Sequence, residues 1–224
     1  MHSDTLYLVH PSTMIVAGPT SSGKTVFVTR LLEHDMFRDD SGNGMDRVLW
    51  FSGTTPTPEF KETLTKFCGN KIEFHKGLNE EIIEYGLNRK QNTIIVIDDL
   101  MNEVKDSVSL SSMFTRVSHH DNCTIIYLVQ NIFEKGKSSS TVGKNSHYIV
   151  FMRNVKGQQD IQNIGKQICV KGELSDFVKL VRRETQEPYS YILIDCHPNT
   201  PIQFQLRRHI FPGERTEIFC REGI

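Results

Sequence analysis

The sequence has no apolar run approaching the ~18 residues that would mark a membrane span. Its first residues show no basic stretch followed by an apolar core, so no secretory signal is expected and the protein should work inside a cell. Charge of one sign is also missing. The 26 Lys+Arg and 27 Asp+Glu leave a formal net charge of −1. Composition therefore does not announce a nucleic-acid binder, although a near-neutral total can hide separated patches. Cysteine is sparse: Cys68, Cys123, Cys169, Cys196 and Cys220 form an odd set with no CxxC pair, which argues against a zinc ribbon or a disulfide framework. Cys123 and Cys196 border apolar runs and read as buried thiols. The adjacent pair His119-His120 cannot easily turn both rings to one metal and reads as a helix end. No internal repeat is present, and the only low-complexity stretch is Ser138-Ser139-Ser140, read as a loop tip.

What is there is an alternation of short apolar runs with longer mixed segments. Strands are expected at Thr13–Ala17, Arg47–Phe51, Ile72–Phe74, Thr93–Ile97, Thr124–Val129, Tyr148–Met152 and Tyr191–Ile194. The Thr93–Ile97 run is the strongest, β-branched and apolar enough to be covered on both faces. Helices are expected at Lys24–Leu32, Pro58–Phe67, Asn79–Leu87 (with Asn79 as cap), Ser109–Ser118, Gln158–Cys169 and Leu174–Arg182. Alternating strands and helices imply an α/β domain with a mostly parallel central sheet flanked by helices. One domain over residues 1–213 is expected, with 214–224 as a C-terminal tail. The chain from Pro198 onward reads as weakly structured.

The chemistry starts at Gly18-Pro19-Thr20-Ser21-Ser22-Gly23-Lys24-Thr25, a match to GxxxxGK[ST] placed between a strand and a helix. Glycines let successive N–H groups curl towards phosphate oxygens, and the following helix presents its positive N-terminus to the same anion. Lys24 is expected on the β- and γ-phosphates of ATP, and the Thr25 hydroxyl on Mg²⁺. The Thr93–Ile97 strand runs into Asp98-Asp99, an apolar strand ending in acids. Asp98 is expected to hold Mg²⁺ with Thr25, and Asp99 to polarise the attacking water. The plain alternative for this pair is a solvated strand end. The strand at 124–129 ends in Gln130-Asn131. Were it to lie between the loop strand and the Asp98 strand, Gln130 would point at the γ-phosphate; otherwise the two amides simply form a turn. A GTPase is disfavoured, since no NKxD motif occurs.

GPTSSGKT, VIDDL, LSSMFTRVSHHDNCTIIYLVQN over 110–131, NSHYIVFMRN and PYSYILID together resemble the genome-packaging ATPases of the FtsK–HerA superfamily. The likeness runs from about Ser12 to Pro212. It is nearest to the poxvirus-type enzymes and, among these, to the versions in Polinton (Maverick) elements and adintoviruses. The resemblance implies a P-loop NTPase of the additional-strand, RecA-like type that hydrolyses ATP. It implies a homo-oligomeric ring, pentamer or hexamer, pushing double-stranded DNA into a capsid through capsid or portal components. The setting would be an infected host cell, in the nucleus or a cytoplasmic virus factory, or the virion. No membrane partner is implied. The resemblance makes Gln130 a polar sensor and Arg116 the first candidate for an arginine supplied to a neighbouring subunit, with Arg153 the second. Relatives often carry an arginine where this chain has Ser140, and Asp99 stands where many have Glu. In a ring, Lys135, Lys137 and Lys144 could touch DNA phosphates, and Arg207-Arg208 form a second, weaker basic patch. Two rivals remain at this point: a nucleotide-type P-loop kinase, and an ATP-bound capsid assembly factor that hydrolyses slowly.

Overall fold

The computed structural model describes residues 6–79, 81–83, 90–100, 114, 122–133 and 145–220. Eleven strands are described. Two of them, β1 (Leu8–Val9) and β3 (Phe37–Arg38), pair in parallel as a small separate sheet. The other nine are β2 (Thr13–Ala17), β4 (Arg47–Ser52), β5 (Ile72–Lys76), β6 (Thr93–Asp98), β7 (Cys123–Val129), β8 (Tyr148–Met152), β9 (Tyr191–Asp195), β10 (Leu206–Arg208) and β11 (Glu217–Ile218). They form one sheet in the order β11-β10-β9-β8-β2-β7-β6-β4-β5. The six strands from β8 to β5 are mutually parallel, and β9, β10 and β11 each add antiparallel.

All five residues of β2, all seven of β7 and all five of β8 are buried, because a central parallel strand is covered on both faces. Side chains alternate between two cores. Ile15, Ile95, Ile125 and Ile149 pack on one face with Ile161 and Ile164 of α3 (Gln158–Ile168) and Phe177 and Val181 of α4 (Leu174–Glu184). Met14, Val16, Val96, Ile126 and Val150 pack on the other with Phe27, Val28 and Leu31 of α1 (Lys24–Glu33) and Leu64 of α2 (Pro58–Cys68). The result is a mostly parallel sheet between two helical layers, the α/β fold expected from the alternating pattern.

The most informative pairing is central. β7 lies between β2, which feeds the glycine loop, and β6, which ends in Asp98. That insertion is the additional strand, and it meets the condition on which a sensor position for Gln130 depended.

Asn79 caps the helical turn at 81–83, its side-chain oxygen accepting from the Ile82 N–H at 3.1 Å. The expected helix at Ser109–Ser118 lies outside the described residues except for Phe114, which is buried. Among the described residues, no helix is long and apolar enough to cross a membrane.

Far from being weakly structured, the chain after Pro198 adds β10 and β11 to the sheet, and Ile210 and Phe211 are buried against α1. Residues past 213 contribute β11 and Glu214, whose carboxylate holds Arg30 of α1 at 2.7 Å. Sequence periodicity missed these strands because they are only three and two residues long. In addition, Arg207 is fully buried through an ion pair with Asp195, which no hydropathy pattern reveals.

Candidate functional site

The loop between β2 and α1 is fixed at both ends. The Gly18 N–H donates to the Val129 carbonyl at the end of β7 (3.1 Å), and the Ser22 N–H to the Pro19 carbonyl (3.2 Å). Ser21 at φ 62° and Gly23 at φ 98° turn the chain through the left-handed region, where glycine carries no Cβ penalty. Gly23 is the N-cap of α1 but offers no side-chain acceptor. Nor does α1 have an acid in its first turn, whereas α2 has Glu59, α3 Asp160 and α4 Asp176. Of these four helices, then, only α1 has no acidic residue in its own first turn to occupy its positive end and orphan N–H groups, the electrostatics of an anion receptor.

Lys24 Nζ donates to the Gly18 carbonyl at 2.7 Å and the Pro19 carbonyl at 3.0 Å, folding back over the loop. Burial lowers its pKa, opposed by the carboxylates of Asp98 and Asp99. The buried Ser22 hydroxyl has no hydrogen-bond partner. A buried polar atom without a partner is costly, and this one belongs to a loop suited to phosphate.

The Thr25 hydroxyl stands 3.4 Å from Asp98 Oδ2. The two hard oxygens that Mg²⁺ would need from the protein are thus already neighbours at the loop. Burial pushes the Asp98 carboxyl up to about 6, with Asp99 adding to the rise and Lys24 and the Thr25 hydroxyl opposing it. Asp99 follows at φ 53° and is exposed. An aspartate in the left-handed region is uncommon and gathers at functional sites. The turn abuts Gly53, just past β4, whose N–H donates to the Asp98 carbonyl at 3.3 Å. A Cβ on Gly53 would lie 2.8 Å from the Asp99 carbonyl oxygen. Gly53 therefore belongs to the site by close backbone approach, a role the sequence did not reveal.

Gln130 leaves β7 one residue after the paired Ala17 and Val129, level with Gly18, and is exposed. The turn behind it is anchored, since the Ile132 N–H donates to Asp160 Oδ2 of α3 at 2.6 Å. Arg153, just past β8, lines a cleft with Pro19, Thr20, Ser21 and Ser22, on the rim of the glycine loop. Arg116, Ser140, the His119-His120 pair and Lys135, Lys137 and Lys144 lie outside the described residues.

Arg207 and Arg208 do not form the second basic patch expected from the sequence. Arg207 is buried against Asp195, and Arg208 is held by Glu184 and Glu217. Both charges are neutralised within the fold, leaving little for DNA. Cys123 is buried as expected, whereas Cys196 is only partly so. Among the described residues, no group of three or more His, Cys, Asp or Glu could hold a metal.

No family model matches the sequence, and no curated protein is similar enough to match. Solved structures do match. The DNA-packaging ATPase B204 of Sulfolobus turreted icosahedral virus aligns with 83% of this chain and 92% of its own, at TM-score 0.53 and 12% identity. The genome-packaging NTPase B204 of Sulfolobus turreted icosahedral virus 2, in complex with ATP-gammaS, aligns with 84% of this chain and 94% of its own, at TM-score 0.55 and 14% identity. In complex with AMP, the latter covers 92% of this chain and 96% of its own, again at 0.55 and 14%. At such identities the likeness speaks to fold, and the fold is that of a P-loop NTPase.

Proposed function

We propose that the protein is an ATPase of the poxvirus-type FtsK–HerA packaging group, a ring motor that drives double-stranded DNA into a capsid. The observation that carries the reading is the convergence of Lys24, Thr25 and Asp98 at an uncapped α1, on a fold similar to that of viral genome-packaging NTPases.

The α1 N-terminus and the loop amides from Gly18 to Thr25 receive the triphosphate. Lys24 exchanges the carbonyls of Gly18 and Pro19 for β- and γ-phosphate oxygens. Thr25 and Asp98 would hold Mg²⁺, whose bound charge offsets the negative charge building on the phosphates. Asp99, held in its turn against Gly53, orients a water and takes its proton as the water oxygen bonds to the γ-phosphorus and the bond to the leaving ADP oxygen breaks. Gln130, level with Gly18, senses the γ-phosphate and passes the change through the turn anchored on α3. The in-trans arginine is assigned to Arg116. The domain, which includes β11 at Glu217–Ile218, works in a pentameric or hexameric ring. Lys135, Lys137 and Lys144 meet DNA phosphates without regard to sequence. The work is done in an infected cell, with capsid or portal components as partners. No specific observation favours a kinase or a slow assembly factor.

The test is ATP hydrolysis with and without double-stranded DNA at two salt concentrations, beside Lys24→Ala. The proposal expects stimulation by DNA that fades with salt and disappears in the variant. Hydrolysis indifferent to DNA would remove the motor from the reading and leave an ATPase.

A further inference from the structure

We infer that the nucleoside of the bound nucleotide lies in the cleft between the phosphate loop and the turn before β9, with its base stacked on Tyr189. This rests on the nucleotide-binding reading of the loop.

The cleft measures about 490 Å³ and is lined by Pro19 to Ser22, by Arg153 to Lys156, and by Pro188 and Tyr189. Clefts of 650 and 660 Å³ exist elsewhere, but neither has a loop residue in its lining. A nucleotide whose phosphates sit on α1 reaches only a cleft that adjoins the loop, so position decides over size. The volume is within the roughly 300–1,000 Å³ of small-molecule sites. Arg153 and Lys156 line it and no acid does, which suits a ligand trailing a polyphosphate.

Its walls are apolar where they need not be. Among the described residues, seven large hydrophobic side chains are exposed; Tyr189 at 67% and Val155 at 77% are two of them, and Val26, at 61%, sits in the first turn of α1. Three of the seven thus gather at the loop or in the turn it opens. Exposed aromatic surface beside a polar anion site is what a nucleobase would cover.

Tyr189 is held, not merely exposed. It sits at φ 63°, and a Cβ on Gly23 would come within 3.0 Å of its Cδ1, so the ring stands against the last glycine of the loop. The turn around it is closed by the Ser190 N–H and hydroxyl, both donating to the Glu187 carbonyl at 3.1 and 2.6 Å. The Arg153 N–H donates to the Ser190 carbonyl at 3.0 Å, tying the two walls together. A bulky residue in the left-handed region is a strained feature that the surroundings must enforce. Here the enforcement positions a ring at the phosphate loop.

The experiment is calorimetric binding of ATP and of inorganic tripolyphosphate to wild type, Tyr189→Ala, Tyr189→Phe and Lys24→Ala. It is paired with photolabelling of wild type by ATP carrying a reactive azide on its base. The inference expects Tyr189→Ala to weaken ATP about tenfold while leaving tripolyphosphate within about twofold, the loss being that of one base stack. Tyr189→Phe should bind ATP as wild type does, and the label should fall within 153–156 or 187–190. Equal weakening of both ligands by Tyr189→Ala would reduce the ring to a prop for Gly23, and a label elsewhere would move the base; either overturns the inference. Wild type that binds ATP through Lys24 while Tyr189→Ala is indifferent overturns the cleft alone. Wild type that binds neither ligand overturns the phosphate-loop reading with it.

Discussion

The Thr25 hydroxyl lies 3.4 Å from Asp98 Oδ2, although β7 separates the strands β2 and β6 that lead to them. Burial at this junction raises the Asp98 carboxyl from 3.8 to about 6. A raised carboxyl means that the fold prefers the protonated form. Its stabilising contribution is complete below pH 3.8 and is lost as pH rises through about 6. Asp98→Asn cannot ionise and keeps that contribution. Without nucleotide or Mg²⁺, Asp98→Asn should therefore be more stable than wild type at pH 7.5, by on the order of 2 kcal/mol, and no more stable near pH 3.8. Urea unfolding at both pH values measures this. Equal stability at pH 7.5 would mean that the carboxylate is better solvated than its surroundings indicate.

The same titration bears on ligand affinity with the opposite sign. Mg²⁺ needs the ionised carboxylate, so Mg·ATP affinity should drop as pH falls below about 6 in wild type. In Asp98→Asn it should be weak and lack that step. Calorimetric titrations from pH 5 to pH 8 would check it, with metal-free ATP as the control for loss of phosphate binding.

Gly53→Ala probes the Asp99 turn without substituting either acid. The added Cβ would sit 2.8 Å from the Asp99 carbonyl oxygen, closer than backbone atoms tolerate. Because Gly53 is also bonded to Asp98 through its N–H, the turn must shift as a unit. Misplacing a catalytic group by about 1 Å can cost on the order of a hundredfold in rate. The expected outcome is a 10- to 100-fold lower kcat with little change in ATP affinity. A loss confined to KM would show that the turn serves binding rather than chemistry.

The phosphate loop, the acid-terminated strand and the order of the central elements were legible because each has a local signature: a glycine pattern, an apolar run into acids, a change of period from strand to helix. Sheet order is not local. That β7 sits between β2 and β6 follows from pairing across the chain, so the sequence alone leaves the role of Gln130 conditional. Gly53 and Tyr189 were illegible for the same reason. One matters through an approach to a backbone about forty-five positions away in sequence, the other through its stance against Gly23. The C-terminal strands are not legible in the sequence because β10 and β11 are only three and two residues long and Arg207 is buried with its counter-ion, which no hydropathy pattern reveals.

Phe211 links that C-terminal segment to the helix carrying the phosphate site. Its ring centroid is 5.4 Å from that of Phe27, the Arg30 guanidinium lies 4.0 Å over it, and Tyr191 completes the cluster 4.7 Å from Phe27. Phe211 is 1% exposed. Phe211→Ala should cost about 3–5 kcal/mol, the range for emptying a buried aromatic site. Thermal and urea unfolding read the loss. A cost below about 1 kcal/mol would mean that the segment rests on α1 without supporting it.

Arg207 and Asp195 make the sharper test of how the C-terminal strands are held. Both side chains are only 4% exposed, and Arg207 of β10 donates to the carboxylate that ends β9. Burial raises the Asp195 pKa, and Arg207 opposes that rise most strongly. Removing the arginine strands a carboxylate that also serves the His197 N–H at 3.0 Å and the Thr200 hydroxyl at 3.0 Å. Arg207→Met should destabilise by about 3–5 kcal/mol, whereas removing the charge on both sides by Arg207→Met with Asp195→Asn should recover much of the loss. A double-mutant cycle of unfolding free energies decides it. If the double variant is as unstable as the sum of the singles, the two residues act independently and the ion pair is not what pins β10 to β9.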